Sequence, residues 1–425
     1  MGLKIAKVSI SKTDLILLFA AFAAYTGMYA VRKAFLAAQF DQLDTITEYH
    51  FKTILVIAQV LGYMLSKFIG IKVVAEVSPA KRFTFLISLV GFGLLMLLLF
   101  AIVPLWLKPV TLFLNGLPLG MVFGLVLSYL EGRRNSELLV AGLSATFIFS
   151  TGLVKSTGLW LMQSFQVNEY AMPFITGLLF FPIFILAVWF LHRSKKPTSE
   201  DIEQRTERIP MDKTRRLDFL QKHGAGFFVL VLIYIILTVI RDFRDNFIVE
   251  FWAELGLATQ PELITITEIP VTIIVLVISA LGILILNNKT AFNLGIYATI
   301  FSALLMLVVT YLFEMGKLSP VIWIVASGTS IYLPYILFHC LLFERFIALL
   351  KYRGTVSYLF YVADALGYLA SVGILLMKEQ MNFQISWVNF FINLNMNGAF
   401  AILLVCVIAI LVLQRKQKLF FAREI

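Results

Sequence analysis

Two cysteines, four histidines and 14% charged residues leave this chain of 425 residues little from which to build an enzyme. Cys340 and Cys406 both lie in apolar runs, so neither a disulfide framework nor a cysteine-based metal site is expected. No nucleophile–base spacing, no metal-ligand cluster and no phosphate-cradling glycine loop occurs, so the chain calls for no cofactor and no metal. Charged residues are far scarcer than the roughly 25% of soluble domains. The net charge of +10 does not indicate nucleic acid as a partner, because it gathers in the loops between apolar runs.

What is present is apolar. Hydrophobic residues make up 60% of the chain, and mean hydropathy is +0.90. The apolar runs are continuous and do not alternate, which favours helices over a membrane barrel. Twelve spans are expected, near 15–38, 50–71, 83–103, 110–130, 139–164, 171–192, 225–249, 263–286, 292–314, 320–343, 355–377 and 389–413. The run from Leu15 is too long for a signal peptide and is read as the first span. Basic residues concentrate in Lys72–Arg82, Glu131–Leu138, Arg193–Gly224, Asn287–Ala291, Glu344–Gly354 and the tail after Gln414. The intervening loops carry Asp41, Asp44, Glu48, Glu169, Glu250, Glu254 and Glu262. This bias predicts that both termini face the cytoplasm.

The polar stretch 193–224 divides the spans six and six, giving halves 1–192 and 225–425 joined by a cytoplasmic linker. The halves show internal similarity: Tyr25 and Arg32 correspond to Tyr234 and Arg241, and Gln59 to Glu268. Two parallel six-helix repeats describe the major facilitator architecture, an all-α membrane fold with its site between the halves near mid-membrane. Small residues four apart (Gly62–Ser66–Gly70, Gly116–Gly120–Gly124, Ala363–Gly367–Ser371) fit either helices that slide or helices that pack tightly.

Ionisable residues inside a membrane are costly and commonly functional. The basic set is Arg32, Lys33, Lys67, Lys155, Arg241 and Arg244; the acidic set is Asp242, Asp245, Glu268 and Asp364. Helical spacing places Tyr25, Tyr29, Arg32 and Lys33 on one face of the first span, and Tyr234, Thr238, Arg241 and Asp245 on one face of the seventh. Each arginine lies about 17 residues, or about 25 Å, along its span. Two guanidinium groups converging from the two halves can grip a phosphate or carboxylate. The alternatives are snorkelling of Arg32 and Lys33 to the outer interface and an i,i+4 pair between Arg241 and Asp245. Lys67 either contacts substrate or pairs with Asp364, and Glu268 is the expected partner of Lys155; such bridges between halves would act as gates. Glu268 or Asp364 can instead carry a proton, or serve as a counter-ion. His339 is read as structural.

Four stretches carry a family resemblance: YTGMYAVRKAF at 25–35, GYMLSKFIG at 62–70, IRDFRDNF at 240–247 with Glu268–Pro270, and GYLAS at 367–371. There the chain resembles the organophosphate:inorganic phosphate antiporters of the major facilitator superfamily. The resemblance implies that Arg32 and Arg241 bind phosphate, with Lys33 and Lys67 beside the site. Ser150 and Thr151 stand where that family places a histidine. The whole chain is also similar to a family of multi-pass bacterial membrane proteins without assigned function. The expectation is a monomeric antiporter of the bacterial inner membrane that exchanges a phosphate ester for phosphate. Two other readings stay open: a proton-coupled symporter or exporter, and a non-transporting sensor or assembly factor on a transporter fold.

Overall fold

The computed structural model describes residues 11–41, 50–130, 133, 135–194, 213–257, 260–350, 352, 356–380 and 386–421. Most of the expected linker (195–212), together with Asp44, Glu48, Glu131 and residues 351 and 353–354 at the end of the expected basic loop, lies outside them. Twelve helical spans follow in order. They are α1 (Lys12–Ala37), α2 (Phe51–Gly70), α3 (Pro79–Ile102), α4 (Leu105–Leu130), α5 (Leu138–Phe165) and α6 (Met172–Arg193) in the first half. The second half holds α7 (Thr214–Glu254), α8 (Glu262–Gly282), α9 (Asn288–Glu314), α10 (Pro320–Leu349), α11 (Tyr358–Gln380) and α12 (Trp387–Val412). Each is long and apolar enough to cross a bilayer, and the chain is an all-helical, multi-pass membrane protein.

The seventh span departs most from expectation. It begins some ten residues before 225, because nothing between Lys213 and Gly224 breaks a helix. Phe219 anchors that extension by packing on Phe227 and Tyr352. At its other end α7 runs on to Glu254, so Glu250 and Glu254 belong to a helix and not to a loop. The Glu254 carboxylate accepts from the backbone N–H groups of Trp387 and Val388 at 2.7 and 2.8 Å. It thereby caps the positive start of α12.

Within the first half α1 packs on α5 and α6, and α2 on α4. In the second half α7 packs on α11 and α12, and α8 on α10. The halves meet through α2 with α11 and α5 with α8. In the stripes of α2 and α4, Gly62 and Gly116 serve close packing inside the first half, while Gly124 faces Tyr361 of α11 in the second. A Cβ built on Gly62 would lie 2.1 Å from the Phe113 carbonyl oxygen, and one on Gly116 would lie 2.3 Å from that of Gln59. The backbones of α2 and α4 are therefore in contact. Outer helices turn large apolar side chains such as Phe190, Phe301 and Leu404 outward, while the basic set Arg32, Lys33, Lys67, Lys155, Arg241 and Arg244 and the acidic set Asp242, Asp245, Glu268 and Asp364 are all buried.

Four interruptions lie close to those buried charges. Helix α1 gives way to a 3₁₀ turn at Ala34–Ala37, directly after Arg32 and Lys33, where the negative end of the helix dipole favours cations. Helix α4 breaks after Pro118 and resumes at Val122. Helix α7 leaves helical geometry at Phe247 (φ −122°, ψ 18°). Helix α10 contains Pro334 and then a π-helical turn at Phe338–Leu342, a feature often found at functional sites.

Candidate functional site

One phenol ring stands between the two arginines of the repeat. The guanidinium carbon of Arg32 lies 5.9 Å from the ring centre of Tyr368, and that of Arg241 lies 5.8 Å from the same centre. Arg32 stacks on Tyr63 at 3.4 Å, and Arg241 on Tyr335 at 4.3 Å. Both arginines are at least 95% buried, so Arg32 and Lys33 do not snorkel to an interface. Desolvated cation–π contacts of this kind contribute about 2 kcal/mol. The tyrosines come in pairs: Tyr63 and Tyr368 follow Gly62 and Gly367 in the GY stretches of α2 and α11, and their rings meet at 5.2 Å. Tyr25 and Tyr29 close the wall from α1, at 5.1 Å from each other.

Arg32 is held from behind. The last carbonyls of a helix lack intrahelical donors, and here two side chains supply them. Gln59 donates to the Arg32 carbonyl at 2.6 Å and to the Asn115 side chain at 2.8 Å. Asn115 in turn donates to the carbonyls of Val31 and Gly93. In front, the guanidinium has no carboxylate partner among the described residues, and its buried Nε finds no acceptor. Arg241 differs. Its Nη2 lies 2.7 Å from Asp242 Oδ1. The angle is not that of a hydrogen bond, so the contact is ionic only, and Nη2 and Asp242 Oδ2 remain without hydrogen-bond partners.

On one side of the arginines a cluster joins the halves. Lys155 of α5 donates to Asp245 Oδ1 at 2.6 Å and also to the Asp245 backbone carbonyl. Lys33 lies 2.9 Å from Asp245 Oδ2 and donates to Asn246 Oδ1 at 2.8 Å. The expected pairs Lys155–Glu268 and Arg241–Asp245 are therefore not the pairs formed. Glu268 instead accepts from Arg244 at 2.7 Å. Two lysines of the first half converge on Asp245 and leave Arg241 to its stack on Tyr335. Beyond this cluster Lys52 bridges to Glu250, and His50 and Thr53 bind Glu379.

On the other side Lys67 of α2 lies 3.1 Å from Asp364 of α11, one of the two partners expected for it. Asp364 also accepts from the Tyr234 hydroxyl. With its one proton so placed, the Tyr234 oxygen accepts from His339 Nε2 at 2.9 Å. His339 lies in the π-helical turn of α10 and stacks on Phe360 at 5.0 Å. Its place in a polar chain had no signal in the sequence beyond its being a histidine within a span. Arg32, Arg241, Tyr25, Tyr29, Tyr234 and the ring of Tyr368 thus occupy a closed region with ion pairs between the halves on both sides.

Counted together, the six cations Arg32, Lys33, Lys67, Lys155, Arg241 and Arg244 face four carboxylates: Asp242, Asp245, Glu268 and Asp364. Two positive charges are in excess. One resides on Arg32, and the other arises because Asp245 serves two lysines.

Two six-helix halves meeting through α2–α11 and α5–α8 define the major facilitator fold. Solved structures agree. A mutant of the nucleoside transporter NupG superposes with a TM-score of 0.59 over 93% of this chain and 100% of its own, at 12% identity. A D-xylose–proton symporter does so with a TM-score of 0.58 over 92% of this chain and 96% of its own, at 15% identity. At such identities the likeness is one of fold. Residues 34–416 match a family described as a family of unknown function (DUF5690), and the chain belongs to that family. A search of the curated proteins gives no match.

Proposed function

We propose that the protein is a secondary active transporter of a small organic anion in the bacterial inner membrane, with both termini inside. Its first candidate substrate is a phosphate ester exchanged for inorganic phosphate. The fold supports transport in general; nothing about fold sets the sign of the cargo, since the neighbours are named for a nucleoside and a sugar. The buried guanidinium of Arg32, without a carboxylate partner among the described residues, carries the choice of an anion. An unpaired buried charge costs several kcal/mol, and an anionic ligand removes that cost. The excess of two positive charges fits a dianion, the charge that a phosphate monoester approaches near neutral pH.

In this reading Arg32 and Arg241 hold the anion from the two halves around Tyr368. Lys33 and Lys67 stand at the margins of the site, and Tyr25, Tyr29 and Tyr234 shape it. Lys155 and Asp245 form the bridge that parts and re-forms as the halves rock, with Asp242, Arg244 and Glu268 beside it within the second half. The neutralised, occupied site lets the halves close on either side of the membrane. The test is exchange of labelled phosphate by proteoliposomes loaded with phosphate. Exchange by the wild type that disappears in Arg32→Ala and Arg241→Ala, with both variants still monodisperse, is the expected result. Absence of exchange in the wild type removes phosphate and its esters and moves the search to carboxylates.

A further inference from the structure

We propose that Lys67 is shared between the transported anion and a proton site at Asp364, so that each anion entering the site brings one proton onto Asp364. The anion half of this inference rests on the reading above; the proton half stands on the geometry around Asp364. Lys67 and Arg32 lie over one ring, that of Tyr63, at 5.1 and 3.4 Å from its centre. An anion gripped by Arg32 is therefore within reach of Lys67, the sole cation in ion-pair contact with Asp364 among the described residues.

Asp364 is 94% buried. The charged and titratable groups around it are Lys67 and Tyr63 from α2, Tyr234 and Arg241 from α7, Tyr335 and His339 from α10, and Tyr361 and Tyr368 on its own helix. Phe123 and Phe147 enclose His339 from α4 and α5. A carboxylate placed among rings keeps its charge while a cation lies against it. When the anion draws Lys67 away, Asp364 is left ionised without its ion-pair partner, and a proton relieves that.

The hydrogen-bonded chain supplies the route. A proton from the aqueous phase enters at His339 Nδ1, Nε2 gives its proton to the Tyr234 oxygen, and Tyr234 passes its hydroxyl proton to Asp364. The net change is one proton moved from the aqueous phase to Asp364, with Tyr234 again a phenol and His339 left as its Nδ1–H tautomer until the reverse transfer. Departure of the anion returns Lys67 to Asp364 and expels the proton. The π-helical turn gives His339 its place in this chain, and neither the anion clamp nor the clusters around Asp245 and Glu268 employ it.

Infrared difference spectroscopy on the purified protein in lipid tests this. The carbonyl stretch of a protonated carboxyl group that is missing in Asp364→Asn reports the proton on Asp364, and its pH midpoint is measured without any ligand. Lys67→Gln removes the cation as the anion would, and should raise the midpoint by about one pH unit or more. Lys67→Arg keeps a cation and should stay near the wild type. A midpoint unchanged in Lys67→Gln, or no Asp364 band in any variant, overturns the proposal. Inorganic phosphate added to the wild type should raise the midpoint in the same direction. A shift in Lys67→Gln with no response to phosphate keeps the proton site and rejects phosphate as the anion.

Discussion

Lys155 grips Asp245 twice, through the carboxylate and through the backbone carbonyl of the same residue. The bond crosses from one half of the molecule to the other, and it meets α7 two residues before Phe247, where that helix kinks. A side chain of the first half thus holds the second half beside the kink in α7.

Substitutions in this cluster should rank by what each leaves uncompensated. Asp245→Asn strands two buried lysines and should cost about 3–5 kcal/mol. Lys155→Met leaves Lys33 to neutralise Asp245 at 2.9 Å and should cost less. Thermal unfolding in detergent gives the order; equal losses, or a larger loss in Lys155→Met, contradict the assignment of Asp245 as shared counter-ion.

The stack of Arg32 on Tyr63 makes the arginine irreplaceable by lysine. A lysine keeps the charge but loses the planar fork and most of the ring contact. Arg32→Lys should lower apparent anion affinity about tenfold or more, the equivalent of at least about 1.4 kcal/mol. Tyr63→Phe, which keeps the ring, should change it far less than Tyr63→Leu. The KM for exchange is the quantity to compare.

Gln59 and Asn115 cap the end of α1, so their loss should act on position as well as stability. Gln59→Leu leaves the Arg32 carbonyl without its donor, at a cost of about 1–3 kcal/mol. Melting temperature and anion affinity should fall together. A variant with lowered stability and unchanged affinity would show that the cap does not position the guanidinium.

The contact between α2 and α4 leaves no room for a methyl group. Gly116→Ala places a Cβ 2.3 Å from a backbone oxygen and should cost about 1–3 kcal/mol or prevent insertion. Gly91→Ala meets only the Phe181 ring, at 3.7 Å, and should be tolerated. The yield of monodisperse protein for each variant distinguishes the two.

Hydropathy was enough to recover twelve helices long and apolar enough to span a membrane, and their number with the internal repeat pointed to the major facilitator fold that the solved structures share. Each helix had to bury one face and leave another for lipid, and that requirement is written in composition. The start of α7 was missed because helix continuity depends on the absence of a breaker near Lys213, while the polarity of that segment read as a linker. Arg32 and Arg241 were paired by their matching positions in the repeat, and each guanidinium carbon lies within about 6 Å of the Tyr368 ring centre. The partner of Lys155 was not legible: Asp245 and Glu268 lie at comparable chemical cost, and only the path of α7 near Phe247 decides between them. The tyrosines Tyr63 and Tyr368 were present as a repeated GY pair in two stretches already singled out, and Gln59 was seen only as the counterpart of Glu268.

The two unbalanced positive charges among these buried groups have an electrical consequence. Each elementary charge moved through the full membrane potential exchanges about 2.3 kcal/mol per 100 mV. As rocking of the halves shifts the depth at which those charges sit, the empty protein moves both of them through the field, and the one holding a dianion with a proton on Asp364 moves a net charge of one. Current recorded from an empty carrier would then report the return stroke at full charge, and addition of the anion would reduce the charge moved per stroke by about half.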